Sequence, residues 1–185
     1  MIIYIHGFGS SGEGDKARKF RDYFKQHNIP IIAPSLSYVP QLAISTLEQL
    51  IESYEDVSLI GSSLGGYYSI YLAEKYHLNA LLINPAVRSA KTLKRLINKK
   101  GVARNYYDDS YFEWNESHIN MLNRYYVQNP QYGNYLILLQ TGDDVLDYRE
   151  VLEKIPHGKS IVEEGGSHAF DGIERHFERS REFLC

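Results

Sequence analysis

Val57-Ser58-Leu59-Ile60-Gly61-Ser62-Ser63-Leu64-Gly65-Gly66-Tyr67-Tyr68 is the stretch on which the reading of this chain turns. A short apolar run leads straight into Gly61-Ser62-Ser63-Leu64-Gly65, and a helical pattern follows. This is the G-x-S-x-G spacing of a nucleophile elbow. A serine that attacks a carbonyl must stand clear of the backbone, so the chain turns sharply and Ser63 takes a strained conformation. Side chains two residues away on either side would collide in that turn, and glycine at 61 and 65 removes them. The helix that follows directs its N-terminal amides and dipole at the site. Leu64 can then offer its N–H to a developing oxyanion.

Outward from this stretch, apolar runs alternate with amphipathic ones. Ile2 to Ile5 reads as a strand buried on both faces and ends in the loop His6-Gly7-Phe8-Gly9-Ser10-Ser11-Gly12. Asp15 to His27 reads as a helix, Ile29 to Ala33 as a second strand, and the stretch carrying Ala43, Leu47, Leu50, Ile51 and Tyr54 as a second helix. The elbow strand and its helix come next, then a strand at Ala80 to Ile83. After an interruption, the rhythm resumes with a strand at Tyr135 to Leu139, a helix around Val151 and Leu152, a strand at Ser160 to Val162 and a closing helix with Ile173, Phe177 and Leu184. The pattern predicts an α/β fold: a mostly parallel sheet of about six strands with helices on both faces. The interruption, residues 88–133, runs to roughly 45 residues, too long for an ordinary loop. It reads as a helical insert within one domain spanning 1–185, with Leu93, Leu96 and Ile97 on one face and Ile119, Leu122, Tyr125 and Tyr126 on another.

Composition narrows the partners. Hydrophobic residues make up 43% and charged residues 23%, as in globular chains, and a net charge of −3 offers nucleic acid no electrostatic footprint. The single cysteine, Cys185, excludes an internal disulfide and a cysteine cage for metal. No histidine spacing suggests a metal site. No apolar run approaches the roughly 18 residues of a membrane span, and Met1 leads into a strand rather than a signal peptide. The expectation is a cytoplasmic protein, monomeric by default, that needs neither metal nor cofactor.

In open α/β sheets ligands bind beyond the carboxyl ends of the strands. Four polar features fall there: His6-Gly7-Phe8, Ser63, Asp143-Asp144 and His168, in the chain order Ser, Asp, His of α/β-hydrolases. The gap from Ser63 to Asp143 holds one βα unit plus the insert, and that from Asp143 to His168 holds one βα unit. Ser63 is the candidate nucleophile and His168 its general base. Asp143, nearer its strand end than Asp144, is the favoured acid, although either carboxylate could instead cap a helix. Phe8 and Leu64 are the candidate oxyanion amides, and His6 reads as a loop-shaping residue. The expected substrate contacts are Gly7, Arg88, Tyr107 and Trp114. Between Pro85 and Tyr107 stand seven basic residues and no acid, followed by Tyr106, Tyr107, Tyr111, Phe112 and Trp114. That arrangement fits either a solvated helix face or a wall that draws in a phosphorylated leaving group and covers an acyl tail. Gly7 to Gly12 also spells G-x-G-x-x-G, but Ala33-Pro34-Ser35 supplies no acid to bind a ribose, which counts against a nucleotide-binding module.

The stretches HGFGSS with Lys16-Ala17, IGSSLGGYY, INPAVR, LLQTGDDVLDYR and VEEGGSHAF resemble the YqiA-type bacterial esterases of the α/β-hydrolase superfamily, over nearly the whole chain. The resemblance implies a compact hydrolase of carboxylic esters or thioesters with Ser63, Asp143 and His168 as its triad. The chain departs from the family pattern at Gly12, where proline is usual, at Ser167 before the histidine, and at Ser89, where proline would follow Arg88; these bear on loop shape and substrate fit. An acyltransferase, or an inactive binding module on the same fold, is the alternative.

Overall fold

The computed structural model describes residues 1–185. Six strands, β1 (Ile2–Ile5), β2 (Ile31–Ile32), β3 (Ser58–Ser62), β4 (Asn79–Ile83), β7 (Asn134–Gln140) and β8 (Lys159–Glu163), form one sheet in the order β2-β1-β3-β4-β7-β8. Every neighbouring pair is parallel. The helices are α1 (Asp15–Gln26), α2 (Pro40–Ser53), α3 (Leu64–Tyr76), α4 (Ser89–Lys94), α5 (Glu116–Asn123), α6 (Tyr148–Lys154) and α7 (Phe177–Leu184). The expected closing helix divides: Ile173–His176 is a 3-10 turn that leads into α7.

Strand side chains alternate between faces, and the core divides accordingly. Ile3, Ile5, Leu59, Leu82 and Ile137 pack under α2, α3 and the insert. Ile2, Tyr4, Ile60, Leu81 and Leu138 pack under α1, Phe170 and α7. Both faces are apolar because both are covered, which is why these strands read as continuous apolar runs.

The insert differs from the expectation of an all-helical segment. Between α4 and α5 lies an antiparallel pair, β5 (Val102–Arg104) with β6 (Tyr111–Glu113). Gly101, at φ +66°, turns the chain out of the helical stretch and accepts the Trp114 amide at 2.8 Å, closing the base of the hairpin. Trp114, 1% exposed, donates its Nε1–H to the Leu93 carbonyl at 3.1 Å and so binds the hairpin to α4.

Chain direction across the sheet reverses between β1 and β3, since β2 lies on one side of β1 and β3 on the other. The crevice at that switch point is where an open α/β sheet holds its ligand.

Candidate active site

Ser63 occupies the turn from β3 to α3 with φ 54° and ψ −118°, a conformation that L-residues adopt only when their surroundings impose it. Its N–H donates to Ile83 O at 3.2 Å, and its carbonyl accepts from Gly66 N at 2.9 Å and Ala86 N at 3.0 Å. The flanking glycines are required by contact. A Cβ on Gly65 would fall on the carbonyl oxygen of Ile5, and one on Gly61 would strike Gly65 O and Ser69 Oγ.

His168 Nε2 lies 3.0 Å from Ser63 Oγ, and its Nδ1 lies 2.8 Å from Asp143 Oδ2. Pairing with a carboxylate puts the ring proton on Nδ1, so Nε2 is free to accept from the serine hydroxyl. The Asp143 side chain is 3% exposed, and its other oxygen accepts the Val145 and Leu146 amides at 2.9 Å each. Burial pushes the Asp143 carboxyl up, but the bonds from His168, Leu146 and Val145 outweigh it and hold the group below its usual value. Asp144 is exposed on the same loop, and neither aspartate caps α6; Asp147 does, accepting Arg149 N at 3.0 Å.

The two expected oxyanion donors, Phe8 and Leu64, border one small pocket together with His6 and Gly7. Leu64 is the first residue of α3, so its N–H has no intrahelical acceptor. Phe8 follows Gly7, where a Cβ would sit 3.2 Å from Ser63 Cβ, so the loop after β1 can run close to the serine. His6 shapes that loop: its ring bonds Gly7 O at 2.8 Å and accepts Leu36 N at 3.0 Å. Burial lowers its pKa, consistent with a neutral ring held between those two backbone groups.

The insert braces the loop from the other side. The Phe8 ring meets Trp114 edge-on at 4.7 Å and Phe112 at 5.3 Å, and Tyr106 N donates to Gly9 O at 2.7 Å. A cavity of about 530 Å³ opens over Ser63 and His168, bordered also by Phe8, Tyr106, Lys16 and Phe170. Of the expected substrate contacts, only Gly7 borders it. Trp114 is packed away beneath Phe8. Tyr107 is exposed outside the cavity, and its neighbour Tyr106 takes the place at the rim. Arg88 precedes α4 and lies 3.8 Å from Glu150. A second groove of about 580 Å³ shares Phe8 and Tyr106 with the cavity and continues to Lys99, Lys100 and Arg104.

Two residues that sequence reasoning passed over, Asn84 and Gln140, hold the histidine loop. Both are 2% exposed. Asn84 Nδ2 donates to Ser167 O at 2.9 Å and His168 O at 3.3 Å, while its Oδ1 accepts Gln140 N at 3.0 Å. Gln140 Oε1 accepts Ser167 N at 3.1 Å and Asp171 N at 2.8 Å. Its Nε2 donates to Asp171 O and to Glu163 Oε2, each at 2.9 Å. The signal was a polar side chain at the very end of an otherwise apolar strand.

A wholly parallel sheet, a strained serine at a strand-to-helix turn and a histidine on the loop after the last strand define an α/β-hydrolase fold. The chain matches the family model UPF0227, described as an uncharacterised protein family, over residues 1–185, and belongs to that family. Relatives include the YcfP protein of Escherichia coli O9:H4, 21% identical, and a UPF0227 protein of Vibrio parahaemolyticus, 22% identical; each alignment covers 99% of this chain and 98% of the relative. Among solved structures, the chain is similar to mouse alpha/beta hydrolase domain-containing protein 10, with TM-score 0.80 and 16% identity over 99% of this chain and 88% of that one. It is similar to Est1E of Butyrivibrio proteoclasticus with ferulic acid bound, with TM-score 0.78 and 13% identity over 99% and 87%. A third likeness is a Paleococcus ferrophilus monoacylglycerol lipase, with TM-score 0.71 and 18% identity over 99% and 93%. No helix is long and apolar enough to cross a membrane.

Proposed function

We propose that this chain is a serine hydrolase, a single α/β-hydrolase domain that cleaves carboxylic esters or thioesters through an acyl-enzyme. The observation that carries the reading is the continuous hydrogen-bonded line from Ser63 Oγ through His168 to Asp143 Oδ2. In this reading His168 Nε2 takes the Ser63 proton as Oγ attacks the acyl carbon. The oxyanion is received by the N–H groups of Leu64 and Phe8. His168 returns the proton to the departing alkoxide or thiolate, and Asp143 stabilises the imidazolium between the two transfers. Water, deprotonated by the same nitrogen, then releases the acid and restores Ser63. The thioester half of the reading draws support from the groove shared through Phe8 and Tyr106, whose far end carries Lys99, Lys100 and Arg104.

The test is labelling with a fluorophosphonate probe and turnover on p-nitrophenyl esters of graded acyl length. The label is expected on Ser63 alone, and Ser63→Ala is expected to abolish both label and turnover. Wild-type turnover in Ser63→Ala, or a label on another serine, sinks the reading.

A further inference from the structure

Lys16 stands in the first turn of α1, on the wall of the cavity that holds Ser63 and His168. Its Nζ donates to Ser62 Oγ at 2.9 Å, and Ser62 is the residue next to the proposed nucleophile. An ammonium has three N–H groups, so two remain for something else. No carboxylate lies within ion-pair distance of Lys16, whereas the cavity's other lysine, Lys19, is 3.0 Å from Asp15 and 2.7 Å from Glu174. Asp143, the charge that most favours the protonated form, is committed to His168 and two amides. Desolvation brings the Lys16 pKa down to about 8 against the favourable charges of Asp143 and Asp15, so the group is mostly cationic at neutral pH yet has no carboxylate paired with it. A desolvated cation with one neutral partner is costly unless something of opposite sign joins it.

We propose that Lys16 is a specificity-determining residue, and that the cavity takes an acyl substrate bearing a carboxylate a few atoms from the scissile carbonyl. The proposal deepens the hydrolase reading and rests on it. Lys16 and Ser63 line the same cavity, and the ammonium is bonded to the side chain of the residue just before the nucleophile, so a short acyl chain bound in that cavity can present a terminal carboxylate to it. The missing counter-ion would thus arrive with the substrate. One ammonium, with no arginine fork beside it, suits a carboxylate better than a phosphate dianion, which calls for more donors. Several exposed cations elsewhere are already paired: Lys94 to Glu116, Lys75 to Glu48, Arg104 to Asp109 and Arg175 to Glu163.

The experiment compares the p-nitrophenyl monoester of glutarate with p-nitrophenyl valerate, a pair matched in chain length and differing by the terminal carboxylate. kcat/KM is measured for both esters in wild type, Lys16→Met and Lys16→Arg. Wild type is expected to favour the charged ester. Lys16→Met is expected to lower the charged-to-neutral ratio at least tenfold, mainly through KM, and Lys16→Arg to restore part of it. A ratio that Lys16→Met leaves unchanged overturns the proposal and makes Lys16 a prop for the elbow. Should Lys16→Met fail to fold, equal kcat/KM for the two esters in wild type overturns it.

A binding arm separates this outcome from failure of the hydrolase reading. Monomethyl glutarate and methyl valerate are titrated calorimetrically into Ser63→Ala, with and without Lys16→Met. Lys16-dependent binding of the charged ester without turnover in wild type would uphold the anion site and sink the hydrolase reading. Turnover of both esters with no such binding would do the reverse.

Discussion

Asn84 carries His168 by the backbone: one side-chain amide donates to the carbonyls of Ser167 and of His168 itself, at 2.9 and 3.3 Å. Asn84 directly follows β4, the strand next to the elbow strand, and is buried, so the loop is held from the sheet edge and not from solvent. Asn84→Ala strips those carbonyls and Gln140 N of their partner, at about 1–3 kcal/mol for each buried group left unsatisfied. The expected outcome is a fall in kcat of at least tenfold with a smaller change in KM, read from steady-state kinetics beside a thermal melt. If Tm falls while kcat holds, Asn84 supports the fold and not the histidine.

The two aspartates of the Gly142 loop separate cleanly by environment. Asp143→Asn keeps the shape, but with its NH2 turned to His168 Nδ1 it donates there, which moves the ring proton to Nε2 and leaves no acceptor for the Ser63 hydroxyl. Turnover is expected to fall on the order of 10⁴-fold with the fold intact. Asp144→Asn, exposed and without a histidine contact, is expected to stay within a few-fold of wild type. The reverse ranking of the two variants would move the acid to Asp144.

The insert acts on the site through packing. Trp114→Phe removes the hydrogen bond to Leu93 O, which contributes about 0.5–1.5 kcal/mol, and loosens the edge contact with Phe8. Because Phe8 N–H is the proposed second oxyanion donor, kcat is expected to drop more than KM rises. A KM effect alone would instead assign the insert to substrate binding.

The basic end of the shared groove has its own test. Lys99→Glu with Lys100→Glu is expected to lower kcat/KM for an acyl-coenzyme A severalfold while sparing a neutral ester of the same acyl chain, and added salt should narrow the difference. Equal responses of the two substrates would reduce these lysines to solvated surface.

Glu163 links stability to pH. Its hydrogen bond with Arg175 is the largest influence and burial opposes it; with help from Gln140 and His176 the carboxyl falls to about 2. A carboxyl depressed on folding stabilises the protein above its unfolded pKa, near the ordinary glutamate value of about 4.3, and that contribution is lost as pH falls towards 2. Glu163→Gln is therefore expected to lower Tm at pH 7 and to flatten the decline of Tm between about pH 4.5 and 2. Parallel Tm–pH curves for the two proteins would show that Glu163 titrates alike in both states.

The residues around Ser63 were legible because their constraint is local. The close approach of Ile5, Gly61, Gly65 and Ser69 leaves no room for a Cβ, so the glycine spacing writes the turn into the sequence. The continuous apolar strands announced a sheet covered on both faces, and the order of Ser63, Asp143 and His168 placed all three at strand ends along one edge. The insert was not legible in the same way. Leu93, Leu96 and Ile97 do repeat at helical spacing, but α4 ends at Lys94 and a hairpin of two three-residue strands follows. Strands that short leave almost no period to read, and their stability comes from Trp114 and Phe112 packing on Phe8. Composition could not tell Tyr106 from Tyr107, since the direction of a loop side chain is set by what the loop bonds to, here Gly9 O.

What the sequence determined by itself was the order of the elements, the strained serine and the three groups that meet at the sheet edge, because each follows from periodicity or from steric exclusion between near neighbours in the chain. Only the tertiary structure decided that Asn84 and Gln140 grip the histidine loop, that Trp114 lies under Phe8 and not against the cavity, and that Lys16 reaches Ser62. These are contacts between groups far apart in the chain, fixed by the register of parallel strands and the seating of α1 on the sheet.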